Sequence, residues 1–449
     1  MEPVRPAHGV ADRIRGEVTR RLSSCAEHSG PRAGDGRNGD PGRALDEADR
    51  AALGRSLIAE ALQAEATAAL RGGRPLLDPV DEDRIAAEVF ASLFAMAGFQ
   101  PYLEDPSIEN INANGADEVF VRYADGTREQ VNPVAASDGE LVELVRTLAA
   151  RVGLGERRFD LASPRLSLQL PDGSRLFAVM AVTGRPCVSI RRHRFLKVTL
   201  SDLVGLGTVD SGLQSFLAAC VAARKNLLVT GGTGAGKTTM LRALCAEIPA
   251  AERLVTIEDA LELGLDRDRE AHPDAVAMQA REPNVEGEGE ITQADLVRWA
   301  LRMSPDRVLV GEIRGSEVIP MCNAMTQGND GSMATLHASS TKGAFSRLAT
   351  YAVQAPERLP LEATNLMVAN AVDFVVHLGT DTHGRRVVSS VREVVDAEGP
   401  QISSNEVFRP GSDGRGVPGV PVRTDTLDDL AGVGLDPDVL ERDEGWWEP

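Results

Sequence analysis

Nine consecutive residues, Gly231, Gly232, Thr233, Gly234, Ala235, Gly236, Lys237, Thr238 and Thr239, have types and a spacing that can do chemistry. They follow the apolar run 226–230 and open a helical pattern, which is GxxxxGK[ST] in the setting that gives the pattern its meaning. Glycines at this spacing let successive backbone N–H groups turn inward around phosphate oxygens, and the start of the helix adds positive partial charge. Lys237 is then placed to reach the β- and γ-phosphates of ATP, and the Thr238 hydroxyl to bind Mg²⁺. The chain has only four lysines beside 44 arginines, so a chance match to the lysine-bearing pattern has odds of about 1% or less.

Such a loop does not by itself separate kinases, GTPases and motors; the acids downstream do. Residues 253–263, RLVTIEDALEL, read as a strand running into Glu258, Asp259 and Glu262. Residues 305–314, PDRVLVGEIR, read as a second buried strand ending at Gly311-Glu312. Parallel α/β sheets carry their chemistry at the carboxyl ends of strands, so both acidic ends are expected beside the loop. A carboxylate there holds Mg²⁺ or orients the attacking water, which makes Glu258, Asp259 and Glu312 candidates for the metal side. His337 follows the strand 332–336, where a polar group can sense a γ-phosphate.

The elements that must position these residues follow from periodicity. From 211 onward helix and strand alternate: helix 211–223, strand 226–230, helix 236–247, strand 253–258, helix 292–303, strand 307–311, helix 315–327 and strand 332–336. That rhythm predicts an α/β domain over 211–400, a mainly parallel sheet with helices on both faces, closed near 395 by a hairpin. Residues 100–193 mix short apolar runs with one helix. Ser137 and Glu140 form its capping box, Gly153 is its stop, and Asp172-Gly173 is a hairpin turn. This segment is expected to be a smaller α+β domain, joined to the next by a linker at 194–210. Residues 44–99 carry one-sided helical stripes. Residues 1–43 are expected to be a disordered extension, since 24–43 are small, polar and rich in Gly and Pro. The tail 401–449 is expected to be acidic and disordered: from 411 it holds ten acidic residues against three arginines, and its last five residues are Gly445-Trp446-Trp447-Glu448-Pro449.

Composition removes several classes. No apolar run reaches the length of a membrane span, and the N-terminus has no apolar signal core. The five cysteines are scattered without CxxC spacing, which argues for reduced thiols in a cytoplasm and against a zinc site. A net charge of −19 argues against coating nucleic acid by charge alone. A RecA-like motor acting on DNA, of the conjugation or helicase type, is the rival reading. It wants a basic groove and stacking aromatics, and aromatics are 4% of this chain.

Taken together, several segments resemble the type II/IV secretion-system ATPases, most closely the CpaF/TadA branch that drives tight-adherence (Flp) pilus assembly. They are LEDPSIENINANGADEVFV, PDGSRLFAVMAVTGRPCVSIRRHR, the phosphate loop, TIEDALEL, REPNVEGEGEITQADLVRWALRMSPDRVLVGEIRG and GNDGSMATLHAS, within about residues 100–395. The resemblance implies a RecA-like ATPase domain preceded by a PAS-like domain, and ATP with Mg²⁺ as the bound species. It implies a homo-oligomer, a hexameric ring working on an inner-membrane platform protein at the cytoplasmic face, with no nucleic acid. By motif, Glu262 matches the glutamate that activates water and Glu312 the Walker B acid. Arg175 and Arg191 match arginines that close on the phosphates, with Arg192 as a neighbouring candidate. His337 lies in the family's histidine box, where Asn329 stands in place of a further histidine found in many relatives.

Overall fold

The computed structural model describes residues 10, 13–14, 17–18, 20–21, 47–73, 75–94, 97–152, 158–170, 172–192, 197–283 and 287–441. Gly153, residues 24–43 and the Trp446-Trp447 end lie outside them. The chain divides into two compact units, Met1–Arg194 and Phe195–Pro449.

In the first unit, helices α1 (Glu47–Arg71) and α2 (Pro79–Phe94) pack as a pair. Against them lie Val10, Ile14 and Val18, a stripe at i, i+4 and i+8 that is buried with Leu57, Ile58, Ala61, Ile85 and Val89. The expectation that 1–43 is wholly disordered is therefore corrected. Three apolar residues on one helical face supply the core contact that the average composition of this stretch conceals. Ion pairs Arg13–Glu65 at 2.8 Å and Arg21–Glu60 at 2.7 Å accompany it.

After the short helix α3 (Gln100–Glu104), the α+β part holds strands β1 (Ile108–Asn114), β2 (Val119–Tyr123) and β3 (Arg128–Val131). Helix α4 (Asp138–Val152) follows, then β4 (Arg165–Gln169), β5 (Arg175–Val179) and β6 (Cys187–Arg191). All six strands form one antiparallel sheet in the order β3-β2-β1-β6-β5-β4. Its inner face, Ile111, Val121, Leu168, Leu176 and Ile190, packs with Leu141, Val145 and Leu148 of α4. Ser137 caps α4 through the Glu140 N–H at 3.2 Å, while the Glu140 carboxylate accepts from Ala136 N–H, one residue before the expected partner.

The second unit begins earlier than expected. Most of the predicted linker is structured: Val198, Leu200, Leu203 and Val209 are core residues, and helix α5 (Leu200–Gly205) starts with a Thr199/Asp202 capping box. Helix α6 (Ser211–Ala222), strand β7 (Leu227–Gly231), helix α7 (Lys237–Cys245) and strands β8 (Leu254–Glu258) and β9 (Ala275–Gln279) follow. Next come α8 (Gln293–Ala300), β10 (Arg307–Ile313), α9 (Val318–Thr326), β11 (Met333–His337), α10 (Thr341–Gln354) and α11 (Leu361–Ala371). Strands β12 (Phe374–Thr380), β13 (Arg386–Glu398), β14 (Gln401–Pro410) and β15 (Gly416–Pro418) complete a nine-stranded sheet, before helix α12 (Thr424–Gly432).

The strand order is β15-β14-β13-β12-β7-β11-β10-β8-β9, parallel from β12 to β9 and antiparallel from β12 to β15. Alternation along each strand feeds two cores. Leu227, Val229, Leu309 and Met333 face α5, α6 and α7, while Leu228, Val308, Val310 and Ala334 face α8 to α11. Burial on both faces is why these strands read as continuous apolar runs.

The tail expectation is overturned as well. Strands β14 and β15 extend the sheet, and Val422, Leu430 and Leu435 enter the same core as Phe216 and Phe408. Arg423 pairs with the buried Glu393 at 3.0 Å, and Lys225 with Asp429 at 2.6 Å. The stretch is rich in acidic residues, but Val422, Leu430 and Leu435 sit on its inward side. Leu430 is fully buried, so Leu430→Ala should cost about 2–5 kcal/mol of stability, readable as a lowered unfolding midpoint in urea. An unchanged midpoint would show that the C-terminal segment contributes nothing to this core.

Candidate active site

The phosphate loop joins β7 to α7 at the carboxyl end of the parallel sheet, as its motif requires. Gly236 caps α7 with φ 95°, a left-handed conformation that a side chain disfavours. The Lys237 ammonium is almost buried. It donates to the carbonyls of Gly231 at 3.3 Å and Gly232 at 3.1 Å, and lies 3.1 Å from His337 Nδ1. A cavity of about 560 Å³ opens beside the loop, bounded by Gly231, Gly232, Thr233 and His337 and by Ser346 and Arg347 of α10.

Parallel pairing places the carboxyl ends of β8, β10 and β11 next to this loop. Thr238 Oγ1 lies 3.4 Å from Glu262 Oε2. The segment carrying Glu262 is fastened from two sides. The Glu258 carboxylate accepts the N–H groups of Glu262 at 2.7 Å and Leu263 at 2.9 Å, and Arg242 of α7 donates to the carbonyls of Glu262 and Leu263. Glu258 is 2% exposed, and burial raises its carboxyl to a pKa of about 7. It packs so closely on Gly311 that a Cβ there would come 2.9 Å from Glu258 Cγ, which links β8 to the strand that carries Glu312. Glu258 thus positions Glu262.

Glu312 and His337 form a second chain of contacts. His337 Nε2 lies 2.6 Å from Glu312 Oε1. No aligned hydrogen bond joins the two, and Lys237 Nζ lies 3.1 Å from Nδ1 and 3.4 Å from Nε2 of the same ring. Burial lowers the His337 pKa, with Lys237 and Arg314 opposing protonation and Glu312 favouring it. The neutral ring is the form that this network accommodates. Lys237, His337 and Glu312 are therefore coupled across three strand ends.

Two residues that sequence reasoning passed over complete the cluster. Arg314 donates to Glu312 Oε2 at 2.6 Å and to Asp259 Oδ2 at 2.8 Å. Glu317, itself buried, accepts the N–H groups of Arg314 and Gly315. A signal existed, since Glu312 and Arg314 are two residues apart at a strand end and so share a side. Asn329 is placed elsewhere. It precedes β11, at the end of that strand opposite His337, and its buried amide donates to Pro305 O while Ser332 Oγ donates to Asn329 O. This is a structural turn.

The arginine candidates belong to the first unit. Arg175 and Arg191 are register partners on β5 and β6, at positions facing away from the core. Arg192 donates to the carbonyls of Asp105 and Ile108, which gives it a backbone-fastening role.

A parallel sheet with a lysine-bearing phosphate loop and acids at the neighbouring strand ends defines a RecA-like, P-loop α/β protein. The model of the family described as Type II/IV secretion system protein matches residues 96–407, and the chain belongs to that family. A putative conjugal transfer protein of Mycobacterium tuberculosis is 36% identical over 309 residues, covering 67% of this chain and 84% of its own. The type IV secretion system protein VirB11 of Brucella suis is 32% identical over 335 residues, covering 68% of this chain and 91% of its own. The crystal structure of the VirB11 ATPase from the Brucella suis type IV secretion system, in complex with sulphate, aligns at 31% identity. That alignment spans 67% of this chain and 94% of the other, with a TM-score of 0.35.

Proposed function

We propose that this chain is an ATP-hydrolysing motor subunit that powers pilus assembly or protein secretion at the cytoplasmic face of a membrane. One observation carries the reading: Lys237, Thr238, Glu262 and Glu312 converge at one end of one sheet. Lys237 holds the β- and γ-phosphates, Glu262 takes a proton from the attacking water, and Glu312 serves the metal side. Arg175 and Arg191 bring positive charge to the terminal phosphate.

The donor set suits Mg²⁺. Thr238, Asp259 and Glu312 offer hard oxygens, and among the described residues no group of three or more His, Cys, Asp or Glu is placed to hold a metal ion by itself. An ion held partly by phosphate oxygens and water needs no such group. When bound, the ion supplies neutralisation of phosphate charge.

The working form in this reading is a homo-oligomeric ring, hexameric in the family resemblance, engaging an inner-membrane platform protein. Among the described residues no helix is long and apolar enough to cross a membrane. The CpaF/TadA assignment rests on the motif resemblance. Prepilin and platform genes beside this one would support it. DNA-processing genes would instead favour the conjugal reading that one relative's name raises and that the charge of −19 disfavours.

Lys237→Ala tests the core of the proposal. Its charge stabilises the phosphate array more in the transition state than in the ground state. Phosphate release by the purified chain should fall by about 10²–10³-fold or more, with an unchanged melting curve. Full turnover in the variant would sink the assignment.

A further inference from the structure

Glu312 and Asp259 sit at the ends of adjacent parallel strands, and their like charges oppose close approach. A cation already stands between them. The Arg314 guanidinium reaches Glu312 Oε2 with Nε at 2.6 Å and Nη2 at 2.5 Å, and Asp259 Oδ2 with Nη1 at 2.8 Å. The other Glu312 oxygen is buried without a hydrogen-bond partner, 2.6 Å from His337 Nε2. The arginine backbone is fixed too, because the buried Glu317 accepts from the N–H groups of both Arg314 and Gly315. A planar guanidinium suits this position. Its fork spans two carboxylates at once, which the point charge of a lysine does not do.

We propose that Arg314 is a built-in counter-cation of the metal seat. It occupies the place between Glu312 and Asp259. A divalent ion gains these carboxylates only when Arg314 releases them, so the ion enters with the nucleotide and not ahead of it. The inference rests on the reading above, in which Glu312 and Asp259 serve the metal side of an ATP site. Two consequences follow from the charges. Without Arg314, the seat carries two uncompensated carboxylates and attracts a divalent cation by itself. With Arg314, one positive charge at hydrogen-bond distance repels that cation and denies it its oxygens.

Mn²⁺, visible by electron paramagnetic resonance, serves as the probe in titrations of the full-length chain without nucleotide. Arg314→Gln is expected to bind Mn²⁺ about tenfold or more tighter than the wild type, through loss of one nearby positive charge. Adding Glu312→Gln to that variant should remove the gain, which localises the ion. Arg314→Lys keeps the charge but loses the bridge and should fall between the two. It also stands in as the test if circular dichroism shows Arg314→Gln to be unfolded. Equal Mn²⁺ affinity in wild type and in the folded variants overturns the proposal, as does a gain that survives Glu312→Gln. Neither measurement depends on hydrolysis. A hydrolysing Lys237→Ala would sink the ATPase reading and leave the Mn²⁺ result interpretable.

Discussion

Arg175→Ala and Arg191→Ala should each lower ATP turnover by about 10³–10⁵-fold while weakening ATP binding far less, as for arginines that meet a transferring phosphoryl group. The two residues lie directly opposite one another on β5 and β6, on the side of the sheet away from its core. In the proposed reading their charge acts mainly where new charge develops in the transition state, so kcat falls more than affinity. Arg192 serves as the control. Its guanidinium fastens the carbonyls of Asp105 and Ile108, so Arg192→Ala should lower the melting temperature and act on turnover only through the fold. Turnover and nucleotide binding measured on the same preparations, with light scattering to confirm the oligomer, decide the matter. Wild-type turnover in both variants would make Arg175 and Arg191 ordinary surface residues.

The legible parts of this protein are those whose cause is local. The phosphate loop is a contiguous string whose glycines, lysine and threonine act through the backbone they belong to. The helix–strand rhythm after 211 is legible because strands covered on both faces must be apolar throughout. Strand β3, REQV, has no such signature: it lies at the sheet edge, and its pairing with β2 defines it as a strand. The C-terminal segment misleads for a related reason. Composition averages over Val422, Leu430 and Leu435, whose burial depends on a core built from residues two hundred positions earlier. The candidate site divides the same way. Lys237, Glu262 and Glu312 can be named from motifs. The Asp259–Arg314–Glu312 bridge and the Lys237–His337–Glu312 chain exist only because β8, β10, β11 and β7 are neighbours in the sheet.

Glu262→Gln and Glu312→Gln should fail in different ways. Glu262 stands 3.4 Å from the Thr238 hydroxyl, on a segment fastened by Glu258 and Arg242 through its backbone. Its side chain can be altered without disturbing what holds the segment in place. The isosteric amide keeps the shape and loses the base, so Glu262→Gln should still bind ATP while turnover falls by about 10²–10⁴-fold. Glu312 Oε2 is held by Arg314, and Oε1 is buried 2.6 Å from His337 Nε2, whose ring in turn contacts Lys237. An amide there weakens the charge-assisted contact with Arg314 and changes what faces the imidazole beside the phosphate lysine, so Glu312→Gln should impair nucleotide binding as well as turnover. Fluorescent nucleotide titration paired with phosphate-release rates separates the two behaviours. If Glu262→Gln turns over at the wild-type rate while Glu312→Gln binds ATP normally and is inactive, the base is Glu312 and the division of roles is reversed.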